Sequence, residues 1–159
     1  MSASRGALTR QVIDEAERRA PKRLGPYRRS LRWSLGQLWT GNRDLHYEVW
    51  HRARLGVVEV GLHFEADPLT NARLLGAFRS REDELRASLG EEPLLEEWDK
   101  GWTRIYESHP LREADLVQRC AERLADYIRV LEPILREELP ADVAWRLPRV
   151  RETSRKARG

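Results

Sequence analysis

The stretch from Asp44 to Glu65, DLHYEVWHRARLGVVEVGLHFE, constrains the fold more than any other part of the chain. It contains two runs in which apolar and polar side chains alternate, separated by Leu55 and Gly56. Successive side chains of a strand point to opposite faces of its sheet, so this alternation indicates two half-buried strands. A two-residue loop at Leu55 and Gly56, with glycine at positive φ, keeps apolar side chains opposite apolar ones. The stretch therefore predicts a β-hairpin.

This loop also predicts the register of the hairpin. Tyr47 lies opposite Phe64 and Val49 opposite Leu62 on a core face, while Glu48 lies beside His63 and His46 beside Glu65 on a polar face. Cross-strand pairs of this kind contribute about 0.2–1 kcal/mol each, so they help to fix the register more than they add stability.

The polar face of the hairpin carries the candidate chemistry. His46, Glu48, His63 and Glu65 supply two imidazoles and two carboxylates, a donor set that suits a divalent ion such as zinc, manganese or iron. A histidine–glutamate pair could also act in acid–base catalysis if the face is covered. Ordinary cross-strand charge pairing explains the same four residues, and the sequence leaves these alternatives open.

Further strands are expected on both sides of the hairpin. Residues 31–39 fit both a helix and a strand, and Gly36 together with the turn cluster at 40–44 favours a strand. Residues 94–107 predict a second hairpin, in which a three-residue loop at 99–101 pairs Trp98 with Trp102. Three strands of a meander and two of this hairpin give an antiparallel sheet of about five strands.

Three helices are predicted from apolar residues at helical spacing. A short helix covers residues 9–20, a longer one covers 68–89 with Asp67 as its N-cap, and a third begins near Pro110. Pro133 should kink or divide the third helix, which then continues toward Leu139. We therefore expect an α+β domain, with the sheet packed against two long helices and a short N-terminal one.

Length and composition limit the domain organisation. A chain of 159 residues with 40% apolar residues can form one domain, which we place at residues 9–139. Residues 1–8 are expected to be disordered and residues 140–159 to form a basic, proline-containing tail. The single cysteine, Cys120, excludes an intrachain disulfide. The sequence has no membrane-length apolar run and no signal-peptide core, which favours a cytoplasmic location.

Charge is distributed unevenly along the chain. Residues 1–54, 55–145 and 146–159 carry net charges of +7, −9 and +5. The basic N-terminal third predicts a nucleic-acid contact in which an aromatic ring can stack on a base while arginines hold phosphates, formed by Arg23, Tyr27, Arg28, Arg29 and Arg32. The alternative is that these charges are solvated or neutralise the acidic middle of the chain.

The aromatic residues of the second hairpin allow two interpretations. Trp98, Trp102 and Tyr106 could close one end of the core, or they could form a platform for a ligand. Exposed tryptophans could also join two copies of the chain, and a homodimer held by Trp102 or Trp145 is a third hypothesis.

A partial resemblance covers residues 57–107. The strand from Val57, Asn71, Leu75 and Phe78 in the next helix, and then Glu84, Leu85, Gly90, Trp98, Arg104 and Ile105 resemble an uncharacterised bacterial domain family. Members of that family often follow restriction-nuclease-like domains. The resemblance implies a link to DNA-associated systems, and no catalytic residue is carried over by it.

The sequence contains no familiar catalytic motif from which a function could be predicted. Glycine-rich phosphate loops, nucleophile elbows and HExxH are absent from the sequence. We therefore expect a non-enzymatic binding domain that needs no organic cofactor, does not bind membranes, and has nucleic acid or another protein as its partner. The alternative hypothesis is a small metal-binding protein or metalloenzyme that uses His46, Glu48, His63 and Glu65.

Overall fold

A six-stranded antiparallel sheet organises residues 5–139, the part of the chain that the computed structural model describes. Its strands are β1 (Arg28–Arg32), β2 (Leu35–Trp39), β3 (Leu45–Arg52), β4 (Val57–Phe64), β5 (Leu94–Trp98) and β6 (Trp102–Pro110). They lie side by side in the order β1-β2-β3-β4-β6-β5. The helices are α1 (Arg5–Arg19), α2 (Pro68–Arg79), α3 (Glu82–Leu89) and α4 (Leu116–Glu138). The predicted α+β class is confirmed, with one strand more than expected.

The central hairpin forms between β3 and β4, but its register differs from the predicted one. Tyr47 pairs with Leu62 instead of Phe64, which is a shift of two residues. The connection has four residues, because residues 53–55 form a short 3-10 turn and Gly56 closes it with a φ of 68°. A shift of two keeps every side chain on its predicted face, so the division into two faces is confirmed.

The second hairpin forms between β5 and β6 in the predicted register. Trp98 pairs with Trp102 and Leu95 pairs with Ile105. Gly101 in the connecting turn has a φ of 80°, as the three-residue loop requires. The strand β6 then pairs with β4 in the middle of the sheet. The helices α2 and α3 therefore come, in chain order, between two strands that are neighbours in the sheet.

The stretch from residue 31 to 39 is not the single strand that we predicted. It contains a tight turn at Trp33 and Ser34, which joins β1 to β2 as an antiparallel hairpin. The strand β1 begins at Arg28, three residues before the stretch that we predicted as a strand. The alternation of the sequence continues across the turn and conceals it.

The three predicted helices occur, with different boundaries. The helix α1 begins at Arg5, so residues 5–8 are helical instead of disordered. Asp67 caps α2 as predicted and accepts a hydrogen bond from the Thr70 amide at 3.1 Å, but the helix predicted over 68–89 is interrupted after Arg79. Its second part is the separate helix α3.

The last helix, α4, starts later than predicted because β6 occupies the chain as far as Pro110. Asp115 precedes the helix with a φ of 53°, and Pro133 lies inside α4 without dividing it. None of the helices in residues 5–139 combines the length and hydropathy needed to cross a membrane. The tail predicted at 140–159 and Trp145 lie outside the described residues.

The helices pack on one face of the sheet, which we call the core face. Phe78 of α2 stacks on Phe64 of β4 with ring centroids 5.6 Å apart. Ile13 of α1 fills the space above Gly36 of β2. The most deeply buried side chains belong to both layers and include Tyr47, Leu62, Ile105, Leu124, Tyr127 and Ile128. This shared core fixes α1 and α4 against the middle of the sheet.

A buried ion pair also joins α4 to the sheet. Arg123 donates to both carboxylate oxygens of Glu107 on β6, at 2.9 and 2.7 Å. Tyr127 donates to the same carboxylate at 3.0 Å, and His109 lies 2.7 Å from it. Burial alone would raise the pKa of Glu107, but the hydrogen bonds from His109 and Arg123 outweigh it and lower the pKa to about 2. His109 is therefore buried in this network and does not lie on the surface.

We expect Glu107→Gln to destabilise the protein by about 3–5 kcal/mol at neutral pH, because it leaves a buried arginine without its counter-charge. The usual pKa of a glutamate is 4.5, and the lowered pKa of Glu107 stabilises the folded wild type at every pH above that value. This stabilisation is lost as the pH falls from 4.5 toward about 2. The variant should therefore lose less stability than the wild type over that pH range.

Urea unfolding followed by circular dichroism between pH 7 and pH 2 measures both effects. Glu97→Gln, at an exposed position of β5, is the control and should follow the wild type. Equal acid sensitivity of the Glu107 variant and the wild type would contradict the assignment.

Candidate metal centre on the open face of the sheet

The candidate site lies on the side of the sheet that faces away from the helices, which we call the open face. Side chains that are paired across neighbouring strands point to the same side, so they form rows across the sheet. One row contains Arg28, Trp39, His46, His63, Arg104 and Glu96. The next row contains Ser30, Gln37, Glu48, Gly61, Tyr106 and Leu94.

The four residues predicted as metal ligands come together on this face. His46 Nε2 lies 3.2 Å from Glu48 Oε1 and 3.7 Å from Glu65 Oε2. His63 Nε2 lies 3.2 Å from Glu48 Oε2, and its Nδ1 lies 3.1 Å from Glu65 Oε2. One ligand atom from each residue can be chosen so that all four lie within 4.8 Å of one another.

The observed register changes how these residues meet. His46 lies directly opposite His63, with the two rings stacked at 5.7 Å, and Glu48 lies opposite Gly61. Each carboxylate therefore contacts the histidine of the other strand diagonally. The shift by two residues keeps all four side chains on one face, so the cluster survives the change in register.

The cluster is buried although it lies on the open face. His46, Glu48 and His63 are only 3%, 4% and 2% exposed. Trp50 of β3 and Trp98 of β5 lean toward each other across the sheet, with ring centroids 6.0 Å apart. The rings of Trp98 and His63 are nearly perpendicular, with centroids 5.8 Å apart. Trp98 therefore covers His63, and Trp50 packs against Trp98.

Gly61, two residues before His63, allows β4 and β6 to lie close together. A Cβ at this position would lie 2.3 Å from the carbonyl oxygen of Ile105 and 2.7 Å from the Cβ of Tyr106. Both distances are shorter than real contacts, so β4 and β6 can approach this closely only with glycine at residue 61.

The backbone of Arg43 sets the tautomer of His46. Its carbonyl oxygen lies 2.8 Å from His46 Nδ1. A carbonyl can only accept a hydrogen bond, so Nδ1 carries a proton and donates it. When His46 is neutral, the lone pair is therefore on Nε2, the nitrogen that faces Glu48 and Glu65. A carbonyl in this position is the usual outer-shell partner of a metal-binding histidine.

Both nitrogens of His63 face carboxylate oxygens. A neutral imidazole has one donor and one acceptor, so it can donate to only one of the two carboxylates. The remaining nitrogen would then direct its lone pair at an acidic oxygen. A positive charge between these atoms, supplied by a proton or by a metal ion, removes this conflict.

Glu48 differs from the other buried glutamates of residues 5–139. Each of the others pairs with an arginine: Glu59 with Arg104 at 2.9 Å, Glu107 with Arg123 at 2.7 Å, and Glu132 with Arg136 at 2.9 Å. The contacts of Glu48 in this part of the chain are with His46, His63 and the amide of Gln37. Its charge is compensated by groups that can lose their protons, whereas an arginine cannot.

The electrostatics of the cluster follow from these contacts. Burial alone would raise the pKa of Glu48, but the charge of His63 and the hydrogen bond from His46 outweigh it and lower the pKa to about 2. Burial alone would lower the pKa of His46, but the hydrogen bond and the charge of Glu48 raise it above the usual value of 6.5. Glu48 is therefore an ionised carboxylate beside a histidine that holds its proton strongly.

The donor atoms of the cluster lie close enough together to converge on one small ion. With one ligand atom from each of the four residues, all four atoms lie within 4.8 Å of one another. The closest contacts, at 3.2, 3.7, 3.2 and 3.1 Å, use both oxygens of Glu48 and both ring nitrogens of His63. The same contacts act as hydrogen-bonded ion pairs when protons occupy the site.

The three aromatic residues predicted as a ligand platform, Trp98, Trp102 and Tyr106, do not form a flat surface. Trp98 and Trp102 are 6.0 Å apart and tilted by 54°, so they pack against each other. The guanidinium of Arg104 lies over the rings of Trp98 and Tyr106 at 4.4 and 3.6 Å. Tyr106 thus faces Arg104, and Trp98 belongs to the cover of the histidine cluster.

The predicted nucleic-acid residues are divided between two sides of the molecule. Arg29 lies on the core side of β1, where it pairs with Asp14 and Glu17 of α1. The hydroxyl of Tyr27 donates to the carbonyl oxygen of Pro21 at 2.6 Å. These two residues therefore help to attach the edge of the sheet to α1.

Arg28 and Arg32 point to the open face, where both are exposed. Arg23 is exposed in the short turn that follows α1. Three of the five predicted residues lie in β1, and they are divided between its two sides because alternate positions of a strand face opposite ways.

Comparisons with known proteins give no further assignment. No protein-family model, curated protein or solved structure matches the chain. The resemblance described for residues 57–107 stays a prediction, and the function must be argued from the site.

We expect Gly61→Ala to destabilise the protein by about 1–3 kcal/mol, the usual range for overpacking, because the added methyl group collides with the backbone of β6. Gly76→Ala is the matched control, since nothing lies within 4 Å of its added Cβ on α2. Alanine is the better helix former there and should be neutral or slightly stabilising. Chemical unfolding compares the two variants, and equal stability would contradict the close packing at Gly61.

Proposed function

We propose that the protein binds a divalent transition-metal ion through His46, Glu48, His63 and Glu65. The observation that carries this proposal is the compensation of the buried Glu48 by two histidines, in a chain whose other described buried glutamates pair with arginines. A metal ion can replace the protons of histidines, whereas it cannot replace an arginine.

The donor set indicates which ions the site would accept. Imidazole and carboxylate ligands suit zinc, manganese or iron, whereas copper(I) thiolate sites and iron–sulfur clusters need cysteine ligands, which these four residues do not supply. Glu65 is the most accessible of the four, with 19% of its side chain exposed. The ion would therefore enter from the side of Glu65, while the other ligands stay covered.

The experiment measures binding of Zn²⁺ and Mn²⁺ to chelator-treated full-length protein by isothermal titration calorimetry. We expect one ion per chain and a rise in the unfolding temperature when the ion is in excess. Saturation at 100 times the Kd stabilises a protein by about 2.7 kcal/mol.

His63→Ala should weaken binding of the ion by more than about tenfold. Loss of a residue that only supports a ligand already weakens binding by about tenfold or more, and His63 is a direct ligand in this proposal. Glu48→Gln keeps the size of the side chain but removes its charge, and should have the same effect. His51→Ala is the matched control, because His51 lies on the same strand as His46 and outside the cluster. Unchanged affinity for the ion in both cluster variants, with normal circular dichroism spectra, would refute this site.

A further inference from the structure

A second chemical feature of the open face lies at its β1–β2 edge. The strands β1 and β2 contain no acidic residue, and Arg28 and Arg32 project from this edge. The guanidinium of Arg43 lies over the ring of Trp39 at 4.9 Å, and Trp39 pairs with Arg28 at one end of β1. Among the described residues, no carboxylate forms an ion pair with any of these three arginines. We call Arg28, Arg32 and Arg43 the arginine edge.

Trp33 lies at the turn between the same two strands. It is 84% exposed, more than any other large apolar side chain of residues 5–139. Its φ of 40° is unfavourable for a bulky residue, so the turn is held by its surroundings. Thr9 donates to the carbonyl oxygen of Trp33 at 2.8 Å, and the amide of His51 donates to the carbonyl oxygen of Ser34 at 2.8 Å.

An indole ring that is exposed to water on an anchored turn contributes nothing to the core. It is available to a partner with little loss of backbone entropy, because the turn is already ordered. The neighbouring Arg32 extends the same surface with a positive charge. The surface therefore combines a flat aromatic ring with arginines that have no carboxylate partner in the described chain.

These groups indicate the chemistry of the partner. An apolar protein surface would cover the ring but would also desolvate arginines without giving them a counter-charge. A nucleic acid supplies both a base that can stack on the indole and phosphates that can pair with guanidinium groups. A duplex keeps its bases stacked on each other, so stacking on Trp33 requires a single strand.

We propose that Trp33 and the arginine edge bind single-stranded nucleic acid. Arg32 lies four positions after Arg28 in β1, which places their Cα atoms roughly 13 Å apart. The surface is thus long enough to contact more than one nucleotide. It differs from the site predicted from the sequence, since Trp33 and Arg43 enter it and Arg23, Tyr27 and Arg29 leave it. The proposal does not depend on metal binding.

The experiment is a fluorescence anisotropy titration of a labelled mixed-sequence 20-nucleotide strand with the full-length protein. It is carried out with a chelator present, so that failure of the metal site has no influence on the result. The same oligonucleotide as a duplex is titrated in parallel, and both titrations are repeated at two or more salt concentrations.

We expect Trp33→Ala to weaken binding of the single strand by about 5- to 150-fold, the range for loss of one base–aromatic stack. The double variant Arg28→Ala/Arg32→Ala removes two phosphate contacts. The slope of log K against log salt concentration should therefore become shallower by about 1.4. Both changes are at exposed positions, so the fold should persist, and circular dichroism checks this.

Two matched controls should bind like the wild type. Arg86→Ala removes an exposed arginine from α3 on the helical side, and Leu55→Ala removes an exposed apolar side chain from the β3–β4 turn. Three results would overturn the proposal: no binding of the single strand at 50 mM salt, equal affinity of the wild type and both surface variants, or tighter binding of the duplex. A wild-type dimer that Trp33→Ala converts to a monomer would assign the ring to self-association and would also overturn it.

Discussion

The pairing of β3 with β4 is the constraint on which the rest of the structure depends. One face of this pair supplies Tyr47 and Leu62 to the core, and the other brings His46 opposite His63. The helices pack against the first face, while Trp98 packs against His63 on the second. A shift of one residue would exchange the two faces, burying the cluster under the helices and exposing the core.

The molecule compensates buried carboxylates in two distinct ways. Glu107 of β6 pairs with Arg123 of α4 and so attaches the helix to the sheet, while Glu132 pairs with Arg136 within α4. Such pairs keep their charge at every physiological pH, and they fix structure. The compensation of Glu48 by His46 and His63 is different in kind, because histidines can exchange their protons for another cation. Because Glu48 is buried, its carboxylate needs a positive partner, since an uncompensated charge is costly in the interior.

The open face therefore carries two features with separate physical origins. The histidine–glutamate cluster lies over β3 and β4, and is covered by aromatic rings. The arginine edge lies over β1 and β2, and is exposed to solvent. Gln37 of β2 reaches Glu48, and Trp39 of the same strand lies under Arg43, so β2 contacts both. The two proposals rest on different side chains and can succeed or fail independently.

Local patterns were sufficient for a large part of the fold. Alternation predicted both faces of the central hairpin, glycine at residue 101 predicted the register of the second, and Asp67 predicted the start of α2. Each of these features depends on residues that are close together in the chain, so the amino-acid sequence is sufficient to predict it. The turn at Trp33 and Ser34 was missed because alternation does not reveal a two-residue turn that lacks glycine, asparagine and proline.

The sequence by itself thus determined the α+β class, the two faces of the hairpin and the four residues of the cluster. Only the tertiary structure decided that the cluster is buried, because its cover comes from Trp98, which is distant in the chain and adjacent only through the sheet. It also decided which arginines have carboxylate partners: α1 neutralises Arg29 and leaves Arg28 and Arg32 without one in the described chain. Charge compensation and burial depend on contacts between distant segments, and local sequence patterns do not encode those contacts.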